Sequence, residues 1–201
     1  MDNTKAGNLG DLSRLQELVH AGGEQRPAPV ESWNPPYCGD IGLKIRRDGT
    51  WLYRGSPIGR QSLVKLFAAV LRKDADGKTY LVTPAEKVDI EVEDAPFLAV
   101  EMDVQGARQG AGDAQQLILR TNVDDVVVCG EEHPLRFSTQ QPGGGLKPYI
   151  RVRGRLEALM TRALVHDLVA LAAEEPRTGR HGVWSGGVFF PFPGAGPLSA
   201  P

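Results

Sequence analysis

Hydrophobic and polar positions alternate with a period of two on both sides of Arg47-Asp48-Gly49, with Ile41, Leu43 and Ile45 before it and Trp51 and Tyr53 after it. This pattern predicts a β-hairpin with one apolar face. A two-residue Asp48-Gly49 turn would set Arg46 against Trp51 and divide aliphatics from aromatics. A three-residue loop with Gly49 left-handed sets Ile45 against Trp51 and Leu43 against Tyr53, which unites them, so this second register is expected. The outer face then carries Lys44, Arg46 and Arg54. After Gly55-Ser56-Pro57-Ile58-Gly59 the period lengthens to three and four, and Leu63, Leu66, Phe67, Val70 and Leu71 form the stripe of an amphipathic helix.

The order of strand, Arg-Gly junction and helix recurs at Tyr149 to Gly154, followed by a helical stripe of Leu156, Leu159, Met160, Ala163, Leu164 and Leu168. It predicts a duplicated strand-strand-helix motif in which Arg54 corresponds to Arg153. Between the copies, strands are expected near 79–82, 86–92, 97–104, 115–120, 124–129 and 134–138, with glycine-rich loops at 105–113 and 142–145. Leu9, Leu12, Leu15, Leu18 and Val19 predict a short helix stopped by Gly22-Gly23, and a Pro-rich linker follows. Residues 176–201 hold eleven Gly or Pro among 26 and read as a loosely docked tail. The expected fold is α+β with antiparallel sheets in two small domains, 33–84 and 85–175, between an N-terminal helix and linker (1–32) and the tail.

Composition narrows the function classes. The 201 residues, 41% hydrophobic and 24% charged, suit a folded globular chain, and 24 glycines with 15 prolines favour many short elements. A net charge of −2 supplies little of the field that general nucleic-acid binding needs. Met1-Asp2-Asn3-Thr4-Lys5 lacks the basic and then apolar start of a signal peptide, and no apolar run approaches the about 20 residues of a membrane span, so a cytoplasmic protein with no membrane partner is expected. Cys38 and Cys129 are far apart in sequence and read as free thiols. Charge is nonetheless segregated: residues 41–73 hold eight basic groups against one acid, 74–132 four against fourteen, and 146–166 five against one. The basic segments either solvate outer sheet faces and complement the acidic middle, or face one cleft and hold an anion.

The candidate chemistry is sparse. His20, His133, His166 and His181 show no ligand spacing, so no metal and no cofactor are expected. Gly143-Gly144-Gly145-Leu146-Lys147 lacks the full spacing of a phosphate loop, and Ser185-Gly186-Gly187 lacks the strand-to-helix setting of a nucleophile elbow. Glu86 and Asp94 are the carboxylates available to an enzyme. Trp33 is a candidate stacking residue, and Arg46, Arg54, Arg60, Arg151 and Arg153 are candidate anion clamps that are alternatively solvated or paired with carboxylates.

Several chained motifs carry a resemblance. Trp33-Asn34-Pro35, Cys38-Gly39-Asp40, Asp48-Gly49-Thr50-Trp51 through Arg60, Leu81-Val82-Thr83-Pro84-Ala85-Glu86-Lys87 and Val92-Glu93-Asp94-Ala95-Pro96-Phe97 resemble the bacterial DUF1285 family, from about Trp33 to the last helix. The resemblance implies a duplicated two-domain α+β core, a C-terminal domain like a pleckstrin-homology fold, and a small-ligand site at the domain interface with a nucleotide as candidate. Lys87, within the shared motif, joins the candidate ligand-binding residues. The expected function is a non-enzymatic binding module for a small anionic ligand, with a role in signalling. An enzyme acting on a phosphorylated small molecule in the same cleft and a protein-protein adaptor are the alternatives.

Overall fold

The structure, a computed structural model, describes residues 28–106, 115–139 and 145–194. The helix expected around Leu9 to Val19, most of the two glycine-rich loops and the end of the tail lie outside the described residues. The chain divides into two compact units after Asp94. This division falls beyond the 84/85 boundary expected, because the strand Lys87–Val92 is paired on both sides within the first unit.

In the first unit, β1 (Tyr37–Ile45) and β2 (Trp51–Tyr53) pair with Ile45 opposite Trp51 and Leu43 opposite Tyr53, the register expected from the loop. Gly49 has φ 81°, a left-handed conformation that a Cβ would strain. The Asp48 carboxylate accepts the Thr50 N–H at 2.9 Å, and this bond holds its carboxyl below the ordinary 3.8. A tight turn leads to β3 (Ser56–Pro57), then α1 (Gln61–Ala69), β4 (Leu71–Lys73), β5 (Thr79–Val82) and β6 (Lys87–Val92). The helix stops earlier than its stripe suggested. Val70 caps it by donating its N–H to the Phe67 carbonyl, and Leu71 opens β4 opposite Leu81. A continuous apolar run satisfies both periods, and strand pairing decided between them. Phe67, fully buried, sets its ring 6.4 Å from that of Trp51, and burying a side chain of this size stabilises by roughly 1.5–3 kcal/mol.

The second unit contains β7 (Phe97–Gln105), β8 (Gln116–Thr121), β9 (Val126–Val128), β10 (Leu135–Thr139), β11 (Leu146–Arg153) and β12 (Leu156–Met160). Then come α2 (Arg162–Ala170) and a separate antiparallel sheet of β13 (Ala173–Glu175), β14 (Arg180–Ser185) and β15 (Val188–Pro191). The six strands expected between the repeat copies all form. The strand order is β3-β2-β1-β6-β5-β4 in the first unit and β10-β11-β12-β7-β8-β9 in the second. Read from the opposite end, the second order repeats the first, strand for strand. In both, two antiparallel meanders meet through one parallel pair, β1 with β6 and β12 with β7. The expectation of wholly antiparallel sheets is corrected accordingly, since a period-two pattern is the same for either direction of pairing.

Two further expectations change. Leu156 to Met160 is a strand rather than the start of a helix. Leu156, Ala158 and Met160 alternate as buried residues between β11 and β7, and only Leu164 and Leu168 serve the helix core. Each unit does contain a hairpin leading into a nine-residue helix. However, Arg54 and Arg153 are not equivalent within the two hairpins. Arg54 occupies the turn itself, whereas Arg153 is the last residue of β11, opposite Leu156, and Gly154 takes the first turn position. The tail expected at 176–201 is built into the second unit as far as β15. Ser185 accepts the Leu117 N–H at 2.9 Å and donates to the Cys129 carbonyl at 2.7 Å, fully buried.

Candidate functional site

Arg54 sits in a two-residue turn between Tyr53 and Ser56, with φ 48° at Arg54 and 81° at Gly55. Such a turn ordinarily takes Asn, Asp or Gly at its first position. Its N–H donates to the Gly42 carbonyl at 2.8 Å, and its guanidinium lies 5.3 Å from the centre of the buried Tyr53 ring. Gly42, itself at φ 79°, makes room for the stem: a Cβ there would stand 3.0 Å from Arg54 Cγ. Arg54 is therefore a seated side chain, exposed at the turn. Arg46, also exposed, follows the first hairpin strand and donates its N–H to the Thr50 carbonyl. The Ile58 N–H bonds the Trp51 carbonyl at 2.8 Å. The chain thus runs back along β2 and brings the exposed Arg60, which caps α1, toward the end that carries Arg46.

Trp33 and Lys87 belong to a different part of the first unit, organised by a residue the sequence analysis passed over. Arg72, 9% exposed, donates Nη1 to the carbonyls of Val30 and Trp33, both at 2.8 Å, and clamps the N-terminal segment to β4. Its Nε bonds Asp74 Oδ1 at 2.6 Å, and Lys87 Nζ bonds Asp74 Oδ2 at 3.2 Å. Burial of Asp74 opposes its ionisation, but the bonds from Arg72 and Lys87 outweigh it and hold the carboxyl below 3.8. Lys87 also lies 4.3 Å from the Tyr80 ring centre, and the Tyr80 hydroxyl donates to Asp76, a bond that with burial pushes the phenol up to about 12. The signal for this network was Arg72-x-Asp74, two residues apart where β4 gives way to a turn, a spacing that puts both side chains on one side of an extended chain. Of the two enzyme candidates, Glu86 is buried and Asp94 forms an ion pair with Arg47, Oδ2 to Nε at 3.5 Å.

In the second unit, Arg151 is exposed and its carbonyl lies 3.0 Å from His133 Nδ1. Arg153 is half-buried, with Nη1 on Asp125 Oδ2 at 2.6 Å and the guanidinium 5.0 Å from the Phe97 ring centre. For this arginine, pairing with the acidic middle is what is observed. Cys38 and Cys129 are both free, and burial pushes the Cys129 thiol up to about 12. Among the described residues, no group of three or more His, Cys, Asp or Glu side chains is placed to hold a metal ion. No helix among them is long and apolar enough to cross a membrane.

These placements define a two-unit α+β chain, dominated by sheet, with arginines on exposed connections and ion pairs inside each unit. The chain belongs to the DUF1285 family. The family's N-terminal domain, described as a domain of unknown function, matches residues 28–95, and its C-terminal domain matches residues 96–192. Among solved structures, the chain is similar to a DUF1285 family protein from Silicibacter pomeroyi DSS-3. The two are 44% identical with a TM-score of 0.79, over 89% of this chain and 93% of that one. A DUF1285 family protein from Shewanella baltica OS155 is 25% identical over 65% of this chain and 92% of that one, with a TM-score of 0.49. No curated protein matches.

Proposed function

We propose that this protein is a non-enzymatic binding module for a small anionic, nucleotide-like ligand, with Arg54 as its clamp. The observation that carries the reading is the backbone at Arg54. A left-handed conformation at a non-glycine residue costs about 1 kcal/mol or more, and strain of this kind clusters at ligand sites. Arg54 adopts it with its stem seated on Gly42 and its side chain at the surface, within reach of a ligand. Its planar fork matches a phosphate group. The non-enzymatic reading is supported by Glu86 and Asp94, which are both engaged in internal interactions rather than poised for proton transfer. A role in signalling and a pleckstrin-homology-like cast of the second unit belong to this same reading.

The test is a thermal-shift screen of nucleoside mono- and triphosphates, cyclic nucleotides and inorganic phosphate, followed by calorimetry on Arg54→Gly. Arg54→Gly relieves the left-handed strain, so the fold should keep its stability while affinity falls by about 10- to 150-fold, the loss of one charge-assisted bond of roughly 1.5–3 kcal/mol. Unchanged affinity in Arg54→Gly, or no shift with any compound, would remove the reading.

A further inference from the structure

We propose that β9 is a docking edge for an extended peptide with apolar alternate positions and basic flanks, which adds to the second unit's sheet as a further strand. β9 ends the strand order, so β8 is its one strand neighbour among the described residues. The Thr121 N–H bonds the Asp125 carbonyl at 2.9 Å, and the Cys129 N–H bonds the Leu117 carbonyl at 2.8 Å. These bonds set the phase of the strand. Residues 125, 127 and 129 turn their main-chain groups toward β8, while Val126 and Val128 turn theirs away. The side chains of the same two residues are 62% and 44% exposed, whereas Val127 between them is 4% exposed. Outward donors and acceptors beside two exposed β-branched side chains form a template for strand addition.

The flanks select the occupant. Asp124 and Asp125 precede the strand, Glu131 and Glu132 follow it, and no Lys or Arg lies between 124 and 132. A second copy pairing antiparallel about Val127 would bring the two aspartates of one chain toward the two glutamates of the other, like charge on like charge. A strand with Lys or Arg on both sides of an apolar centre meets opposite charge at each end. Asp124 and Asp125 already accept from Arg120 and Arg153, so the exposed Glu131 and Glu132 carry the larger share of that attraction. This dock is independent of the anion site on the first unit.

The experiment is fluorescence anisotropy on the full chain with a labelled peptide that alternates valine and threonine between Lys-Arg flanks. Saturable binding is expected. It should weaken tenfold or more when the peptide's edge-facing amides are N-methylated, when its flanks are glutamate, and in Val126→Pro, which removes an outward N–H and no bond to β8. Val128→Lys, which leaves the backbone intact and opposes the peptide with charge, should give the same loss and covers the case in which Val126→Pro fails to fold. The proposal is overturned by absence of binding, by equal binding of the N-methylated peptide, or by undiminished binding to Val128→Lys. Sedimentation of the native chain as a dimer that Val128→Lys dissolves would overturn it in favour of a second copy.

Discussion

Gly49 and Arg54 both adopt left-handed backbone, and they sit at opposite ends of β2 with opposite consequences. At Gly49 the conformation sets the register that buries Trp51 and Tyr53, and glycine is the residue that adopts it without strain. Gly49→Ala should therefore cost on the order of 1 kcal/mol or more in urea denaturation. Asp48→Ala, which removes one exposed turn bond, should cost less. A neutral Gly49→Ala would break the link between this loop and the core. At Arg54 a residue poorly suited to the conformation adopts it. The loop at Gly49 was legible in the sequence because a choice of register decided where two aromatics went. The strain at Arg54 was not, since the residue pair Arg-Gly accommodates several turn types and only the pairing of Tyr53 with Ser56 selects one.

Among the elements, the third sheet shows how far local composition is a guide. Gly and Pro are dense beyond residue 176, yet β14 and β15 pair through four registers and Ser185 is locked between Leu117 and Cys129. The Ser185 hydroxyl satisfies a buried donor and a buried acceptor beside the neighbouring sheet, next to two Gln115 bonds, one to the Trp184 carbonyl and one from the Gly186 N–H. Ser185→Ala leaves both without it, at about 1–3 kcal/mol for a buried polar group that loses its partner. The expected outcome is a matching loss of stability, together with faster hydrogen exchange across 180–191 than elsewhere in the unit. Unchanged exchange in that stretch would mean that β13, the strands' own pairing and the Gln115 bonds hold them without the hydroxyl. Leu156 to Met160 teaches the same lesson in reverse. Its apolar residues fit a helix and a strand equally, and the two open partners, β11 and β7, decided.

Over the whole molecule, the segregation of charge along the chain resolves into pairs inside each unit. Lys44 faces Glu91 in the β1–β6 register and also bonds Glu93, Arg47 meets Asp94, Arg72 and Lys87 share Asp74, and Arg153 takes Asp125. The bonds to Asp74 and Glu93 depress their folded pKa values, so the stability they contribute is complete above the ordinary carboxylate range and is lost as pH falls through the lowered values. The expected thermal melting profile falls below about pH 4, and Asp74→Asn should be less stable than the native chain at pH 7 while the two converge in acid. Parallel profiles at every pH would exclude Asp74 as a contributor. At the alkaline end the sign is opposite. The folded state holds the Tyr80 and Cys129 protons up to about 12, so stability should decline from about pH 9 upward, and Tyr80→Phe should decline less steeply above about pH 10.

Alternation and turn chemistry along the chain were enough to predict the first hairpin, its register, the six strands that follow and a helix after Gly59 though not where it ends, because side-chain direction within one strand or helix depends on near neighbours alone. What joined those pieces was decided only in three dimensions. The parallel pairs at the centre of both sheets, the boundary at Asp94, the use of Arg72 and Arg153 as internal partners, and the open edge at β9 all depend on which distant strand lies alongside. A period-two pattern states that a strand has a buried face. It does not state which strand will cover its edge, since main-chain hydrogen bonds are the same for every residue type and carry no sequence label.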